Sequence, residues 1–330
     1  GYPPFLLARM CATIDHIAGG RFGWNIVTSG EDLAAQNFGM AQITAHDTRY
    51  EMADEYVELV NQLFASWDPD AIVRDRETGT YADFRKVRPI HFEGKYYKSR
   101  GPLNTAPMPQ GRPAYVQAGG SPRGRDFAAR HADSVICAAK GIKGMKSFRD
   151  DIRARAETFG RDPDDIKMLF LLAPVMGKTR AEAEAENERG LESSRFHHHT
   201  LALHSALSGI DLSQFDLDKP LPEMTTNGSI ASLSGFAQFG SGKTLKQVIR
   251  ESGKASCLDC VGTIDDVADQ MAAAMEEVGG DGFLIRHPFY DINRRYILEV
   301  ADGLVPALQR RGLVRTEYTA PTLRQTLREF

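Results

Sequence analysis

The sequence predicts an α/β fold built on a parallel sheet. Five short runs of apolar, β-branched or aromatic residues recur along the chain, and amphipathic segments of helical length fall between them. The runs are near-continuously apolar rather than alternating, as in parallel strands covered on both faces.

The strand candidates are "RFGWNIVTS", "PAYVQAG", "DSVICAA", "KMLFLLAPVMG" and "DGFLIRHP". In "RYEMADEYVELVNQLF", Met52, Tyr56, Leu59, Val60, Leu63 and Phe64 share one helical face. "SFRDDIRARAETFG" groups Phe148, Ile152 and Phe159 and ends on Gly160, a C-terminal cap. "TIDDVADQMAAAMEEVGG" aligns Ile264, Val267, Met271, Met275 and Val278 behind Thr263 as N-cap. A last long helix within "RRYILEVADGLVPALQRRG" is expected to kink at Pro306. Two stretches break the alternation: an insertion with a hairpin at about 66–113, and a loop-rich insertion at about 180–260 that opens with the polar surface helix "TRAEAEAENERG".

The 330 residues have ordinary globular composition, 42% hydrophobic and 25% charged. A formal charge of -4 argues against nucleic acid as the main partner. No apolar run approaches membrane-spanning length, and with no secretory signal evident a soluble cytoplasmic protein is expected. Four cysteines are too few for a disulfide framework, and the single C-x-x-C at Cys257 and Cys260 lacks the second pair of a zinc ribbon.

Three clusters can carry chemistry. After the strand in "AYVQA", Gly119 and Gly120 permit a tight turn, Ser121 stands at an N-cap and Pro122 at N1. Such a helix start suits an anion, to which Ser121, the Gly120 amide, Arg123 and Arg125 could contribute; from the local sequence alone a plain capped turn with solvated arginines is the better fit. In "AHDTRYEMADEY", His46 and Tyr50 are four apart and share a face, set for a ligand or for packing. "GWNIVTS" puts Asn25 and its polar neighbours at the C-terminal edge of a strand, where parallel α/β folds assemble sites, whereas Trp24 reads as core.

Other motifs point nowhere. "FGSGKT" lacks the first P-loop glycine, since position 237 is Ala237, although Lys243 could still approach an anion. The run His197, His198 and His199 with His204 has no carboxylate at ligand spacing, and "DLSQFDLDKPLP" lacks the glycine and terminal Glu of a calcium loop. No metal is expected.

In order along the chain, "LARMCATIDHIAGGRFGWNIVTS", "HDTRYEMADEY", "HFEGKYYKSRGPLNTAPMPQGRPAYVQAGGSPRGRDFAARHAD", "DLSQFDLDKPLP", "GSGKTLKQ" and "VPALQRRGLVRTEYTAPTLRQTL" resemble one family. It is the bacterial luciferase-like flavin monooxygenases, in the branch of nitrilotriacetate monooxygenase component A and dibenzothiophene sulfone monooxygenase. The resemblance implies a TIM-barrel-type fold and a homo-oligomeric oxygenase component acting on a small organic substrate. Reduced FMN from a separate NAD(P)H-dependent flavin reductase would react with O2 to a C4a-(hydro)peroxyflavin. By matched motif, His46, Tyr50 and Ser121 look like FMN contacts, with Ser121 and Gly120 at the phosphate and His46 also able to meet the peroxide or substrate; Asn25 is added from fold position. A deazaflavin-dependent oxidoreductase of the same superfamily, or a non-catalytic flavin-binding fragment, are the alternatives. Family members carry three further βα units before the first motif, so a barrel lacking strands one to three is expected. "TSGEDLAAQNFGM" and "NTAPMPQ" differ from the commoner family wording and are expected to border the substrate pocket.

Overall fold

A computed structural model describes residues 2–222, 242–290 and 293–329. In chain order the elements are α1 (Pro4–Ile17), β1 (Gly23–Asn25), α2 (Asp32–Gln36), α3 (His46–Phe64), β2 (Ile72–Asp75), β3 (Thr80–Ala82), β4 (Phe92–Glu93), β5 (Lys98–Ser99), β6 (Ala114–Gln117), α4 (Pro122–His131), β7 (Ser134–Cys137), α5 (Gly141–Thr158), β8 (Lys167–Leu172), β9 (Val175–Met176), α6 (Arg180–Glu192) and α7 (Ser194–Ser208). Then follow α8 (Leu245–Ser252), β10 (Val261–Gly262), α9 (Ile264–Val278), β11 (Gly282–Ile285), α10 (Arg294–Leu298), α11 (Val305–Arg310) and α12 (Leu323–Arg328).

All five strand candidates enter one sheet, in the order β1-β6-β7-β8-β11. Every neighbouring pair is parallel, with Trp24 opposite Tyr115, Gln117 opposite Val135, Ile136 opposite Leu169 and Phe283 opposite Phe170. Spatial order repeats chain order, and the helices follow suit: α3 packs on α4, α4 on α5 and α5 on α9. A strand layer lined by a helix layer in the same sequence is the arrangement of a (β/α) barrel wall. Within the described residues the outer edges of β1 and β11 pair with no further strand of this sheet.

The wall is packed by Val135, Met168 and Phe170 from the strands against Ala128, Met145, Phe148 and Ile152 from the helices, all buried. The helix signals act as read. Thr263 caps α9 in a capping box with Asp266, and the chain leaves that helix through a left-handed Gly279. Gly160, also left-handed, follows α5. The helix type changes just ahead of Pro306. The preceding turn, Glu299–Leu304, is π-helical, and Pro306 lies in the first turn of α11, where a missing N–H costs little.

The segment 66–113 contains two antiparallel hairpins, β2–β3 and β4–β5. Within 180–260, the described part forms α6, α7 and α8 around their own cluster of Leu191, Phe196, Leu212, Val248 and Ile249.

Asp133 ties the start of the wall together. Its buried carboxylate accepts from Arg112 at 2.6 and 3.0 Å and from the Tyr115 amide at 2.7 Å, joining the entry of β6 to the entry of β7. Burial acts to raise its pKa, but the Arg112 hydrogen bonds and charge and the Tyr115 amide outweigh it and hold the group below the usual carboxylate range. Asp133→Asn is expected to lower stability at pH 7 by about 3–5 kcal/mol in urea titrations, because it leaves Arg112 uncompensated. For a depressed carboxylate the contribution exists above the unfolded value of about 3.9 and fades as pH falls through the folded one, so the gap between the two proteins should narrow in acid.

Candidate functional site

The C-terminal end of β1 leads through α2 into α3, that of β6 leads into α4, and the first turns of α3 and α4 meet. Ser121 is the N-cap of α4, with φ -69° and ψ 157°, and its Oγ accepts from the Gly124 amide at 3.1 Å. The same Oγ lies 3.3 Å from His46 Nε2, at the first residue of α3. His46 Nδ1 faces the Asp47 carboxylate at 2.7 Å; that partner favours a proton on Nδ1, which leaves Nε2 to accept from the Ser121 hydroxyl. One turn on, the Tyr50 ring meets His46 edge-on at 5.1 Å.

Gly124 makes this convergence possible. A Cβ there would stand 2.7 Å from the Tyr50 hydroxyl and 3.1 Å from Ser121 Oγ, so any side chain would push the two hydroxyls apart. Beside them Gly120 is exposed, a Cβ on it would meet nothing within 4 Å, and its amide has no partner among the described residues. A capped helix start with an exposed, unpaired amide, near two hydroxyls and an imidazole, has the chemistry that suits an anion.

The arginines of the motif serve structure instead. Arg123 pairs with Asp54 of α3, and Arg125 pairs with Asp151 at 2.9 Å while its Nε donates to the Gly120 carbonyl at 3.0 Å. Neither is a solvated cation waiting for a ligand. Lys243 is likewise engaged, with Glu251 at 2.5 Å, and residues 239–241 of the same motif lie outside the described residues.

Asn25 is not part of the His46–Tyr50–Ser121 group. It stands in the wall of an adjoining cavity of about 380 Å3 between the end of β1, the α2 segment and α3. Ile26 lines the cavity and is buried in one cluster with Tyr50. Trp24 is both core and wall: it packs edge-on against Tyr115 at 5.5 Å and also faces the cavity. Most of the remaining wall is apolar or aromatic, including Phe38, Met40, Ile43, Met52, Tyr56 and Tyr97. Such a lining suits a small organic molecule. "TSGEDLAAQNFGM" does border the cavity, through Thr28, Ser29, Phe38 and Met40. "NTAPMPQ" does not; Met108 packs in the core between α1 and α3, and Gln110 Nε2 bonds to Asp15 at 2.7 Å.

Sequence reading missed Arg49, which among the described residues is the one charged member of the cavity wall. Its Nη1 donates to the Thr44 carbonyl at 2.6 Å and its buried Nε has no partner among the described residues. Burial pushes its pKa below the ordinary value, with Tyr50 and Asp32 acting the other way. The signal was present in "HDTRY", where Arg49 sits between two residues already singled out.

The decoys are accounted for. His197 is buried with Nε2 2.8 Å from the Leu191 carbonyl, while His198 and His199 are exposed on other faces of α7. Cys257 Sγ donates to the Cys137 carbonyl at 3.3 Å, and Cys260 is buried and free. Among the described residues no three His, Cys, Asp or Glu side chains group to hold a metal, and no helix is long and apolar enough to cross a membrane.

Consecutive parallel strands, with polar groups converging at their C-terminal ends and a mostly apolar cavity beside them, are the arrangement of a barrel-type fold that can hold a cofactor. The family model of luciferase-like monooxygenases matches residues 1–282, and the chain belongs to that family. It is 38% identical to a dibenzothiophene-sulfone monooxygenase of Rhodococcus erythropolis over 99% of this chain and 73% of that one. With a long-chain alkane monooxygenase of Geobacillus thermodenitrificans the identity is 38% over 98% and 69%. A riboflavin lyase solved with modified FMN and riboflavin superposes with TM-score 0.87 at 34% identity, covering 100% of this chain and 72% of that one. The chain is thus a flavin-dependent monooxygenase by class.

Two substitutions probe the junction. Ser121→Ala should cost about 1 kcal/mol and Ser121→Gly only a few tenths, since glycine is tolerated at an N-cap. Gly124→Ala should cost about 1–3 kcal/mol as an overpacked contact, read by thermal or urea unfolding.

Proposed function

We propose that this chain is the oxygenase component of a two-component system, taking reduced FMN from a separate NAD(P)H-dependent flavin reductase and using O2 to oxygenate a small organic molecule. The observation that carries this reading is the junction of α3 and α4, where His46, Tyr50, Ser121 and the Gly120 amide surround open space beside a mostly apolar cavity. The bound flavin supplies the oxygen chemistry. The protein's residues supply the rest. Ser121, the Gly120 amide and Tyr50 hold the phosphate, and the α4 dipole adds to their attraction. His46, oriented by Asp47, presents Nε2 at the rim, where it accepts or passes a proton. Asn25 and the cavity aromatics orient the substrate and keep water from it. Arg49 gives that wall one cation and so favours a substrate with a polar or anionic end.

A homo-oligomeric protein of the cytoplasm accompanies this reading. A deazaflavin-dependent activity is less well supported: a coenzyme F420-dependent reductase shares only 16% identity at TM-score 0.52, which speaks for the fold alone.

Anaerobic titration should show tight binding of reduced FMN and weak binding of a reduced deazaflavin. Ser121→Ala and Tyr50→Phe should each weaken FMN binding about tenfold, the loss of one hydrogen bond to a charged group. His46→Ala should lower affinity or the coupling of O2 use to product. Unchanged affinity and coupling in that variant would remove His46 from the site.

A further inference from the structure

Glu55, on α3, receives three consecutive backbone amides from the turn of the β4–β5 hairpin. Oε1 accepts from Tyr96 at 2.8 Å and Tyr97 at 2.7 Å, and Oε2 accepts from Lys95 at 2.9 Å. Successive amides around one carboxylate form an anion nest, here filled by the protein's own side chain. Glu51, one helical turn earlier, holds the same hairpin turn through the Tyr96 hydroxyl at 2.7 Å and Lys95 Nζ at 3.2 Å. Gly94 completes the fit, because a Cβ there would overlap the Glu55 carboxylate.

The hairpin needs such a fastening. β4 and β5 are two residues each, and a short isolated hairpin is marginal in water. Its turn carries Tyr97 into the cavity wall, where the ring meets Tyr56 edge-on at 5.3 Å; Tyr56 in turn meets Trp24 at 6.1 Å. We propose that Glu55 is a positioning residue for the substrate cavity: its carboxylate latches the β4–β5 hairpin to α3 and so holds Tyr97 as part of the cavity wall. The proposal rests on the reading of this cavity as the substrate's. It makes the insertion part of the oxygenation site, acting through Tyr97, with Glu55 touching neither flavin nor substrate.

The chain has two tryptophans, so a Trp67→Phe background leaves Trp24 as the sole indole reporter of the cavity. Acrylamide quenching of Trp24 should rise about twofold in Glu55→Ala as the hairpin opens locally, and reach the level of Tyr97→Ala. Gly94→Ala should reproduce the effect by displacing the carboxylate, and Glu55→Ala combined with Gly94→Ala should add nothing further, since both break one interaction. Glu55→Gln, which keeps an oxygen for the Tyr96 and Tyr97 amides, should fall between. Quenching in folded Glu55→Ala and Gly94→Ala no different from the parent, or unaffected by Tyr97→Ala, would overturn the proposal. The readout contains neither flavin nor substrate, so its failure is separate from any failure of the monooxygenase reading.

Discussion

Asp54 holds α3 and α4 together at the junction where His46, Tyr50 and Ser121 meet. From α3 it accepts from His131 Nε2 at 2.7 Å and from Arg123, both on α4, with Arg130 at 3.9 Å. Burial acts to raise its pKa, yet the hydrogen bonds from His131 and Arg123 hold it below the ordinary carboxylate value. Its contribution to stability is therefore fully present above the unfolded value of about 3.9 and is lost only as pH falls through the folded one. Aromatic contacts extend the clamp: Tyr50 packs on Phe127 at 5.7 Å, Phe127 on His131 at 4.8 Å, and Arg123 lies over the Tyr50 ring at 5.5 Å. With α3 and α4 clamped in this way, His46 and Ser121 are held near one another.

From that junction the site divides its tasks by element. The start of α4 offers fixed dipoles and hydroxyls, which suit a phosphate. The end of β1 and the segment through α2 form a wall of low polarity, which suits an organic substrate. The hairpin held by Glu55 closes part of that wall. Each part lies on a different stretch of sequence, and the parallel sheet brings all of them to one end of its strands.

Much of this was legible in the residues. The five strands showed because buried parallel strands are apolar on both faces, and the caps at Ser121 and Thr263 showed because capping is local chemistry. His46 and Tyr50 were findable from their four-residue spacing; their meeting with Ser121 was not, because it spans about seventy-five positions and depends on helix packing. The pairing of Arg123 and Arg125 was not legible for the same reason: their partners, Asp54 and Asp151, lie on other helices. Tyr97 and Glu55 gave no signal, since a carboxylate on a helix surface looks solvated until a distant turn folds onto it. The π-helical turn before Pro306 is also a matter of geometry that composition does not encode.

In the proposed function, α3 and α4 grip one phosphate between them. A double-mutant cycle on FMN affinity, pairing Tyr50→Phe on α3 with Ser121→Ala on α4, tests it most directly. Residues sharing one ligand group should show a coupling of about 0.5–3 kcal/mol, and the coupling should vanish with riboflavin, which lacks the phosphate. Additive losses with FMN, or the same coupling with riboflavin, would contradict it.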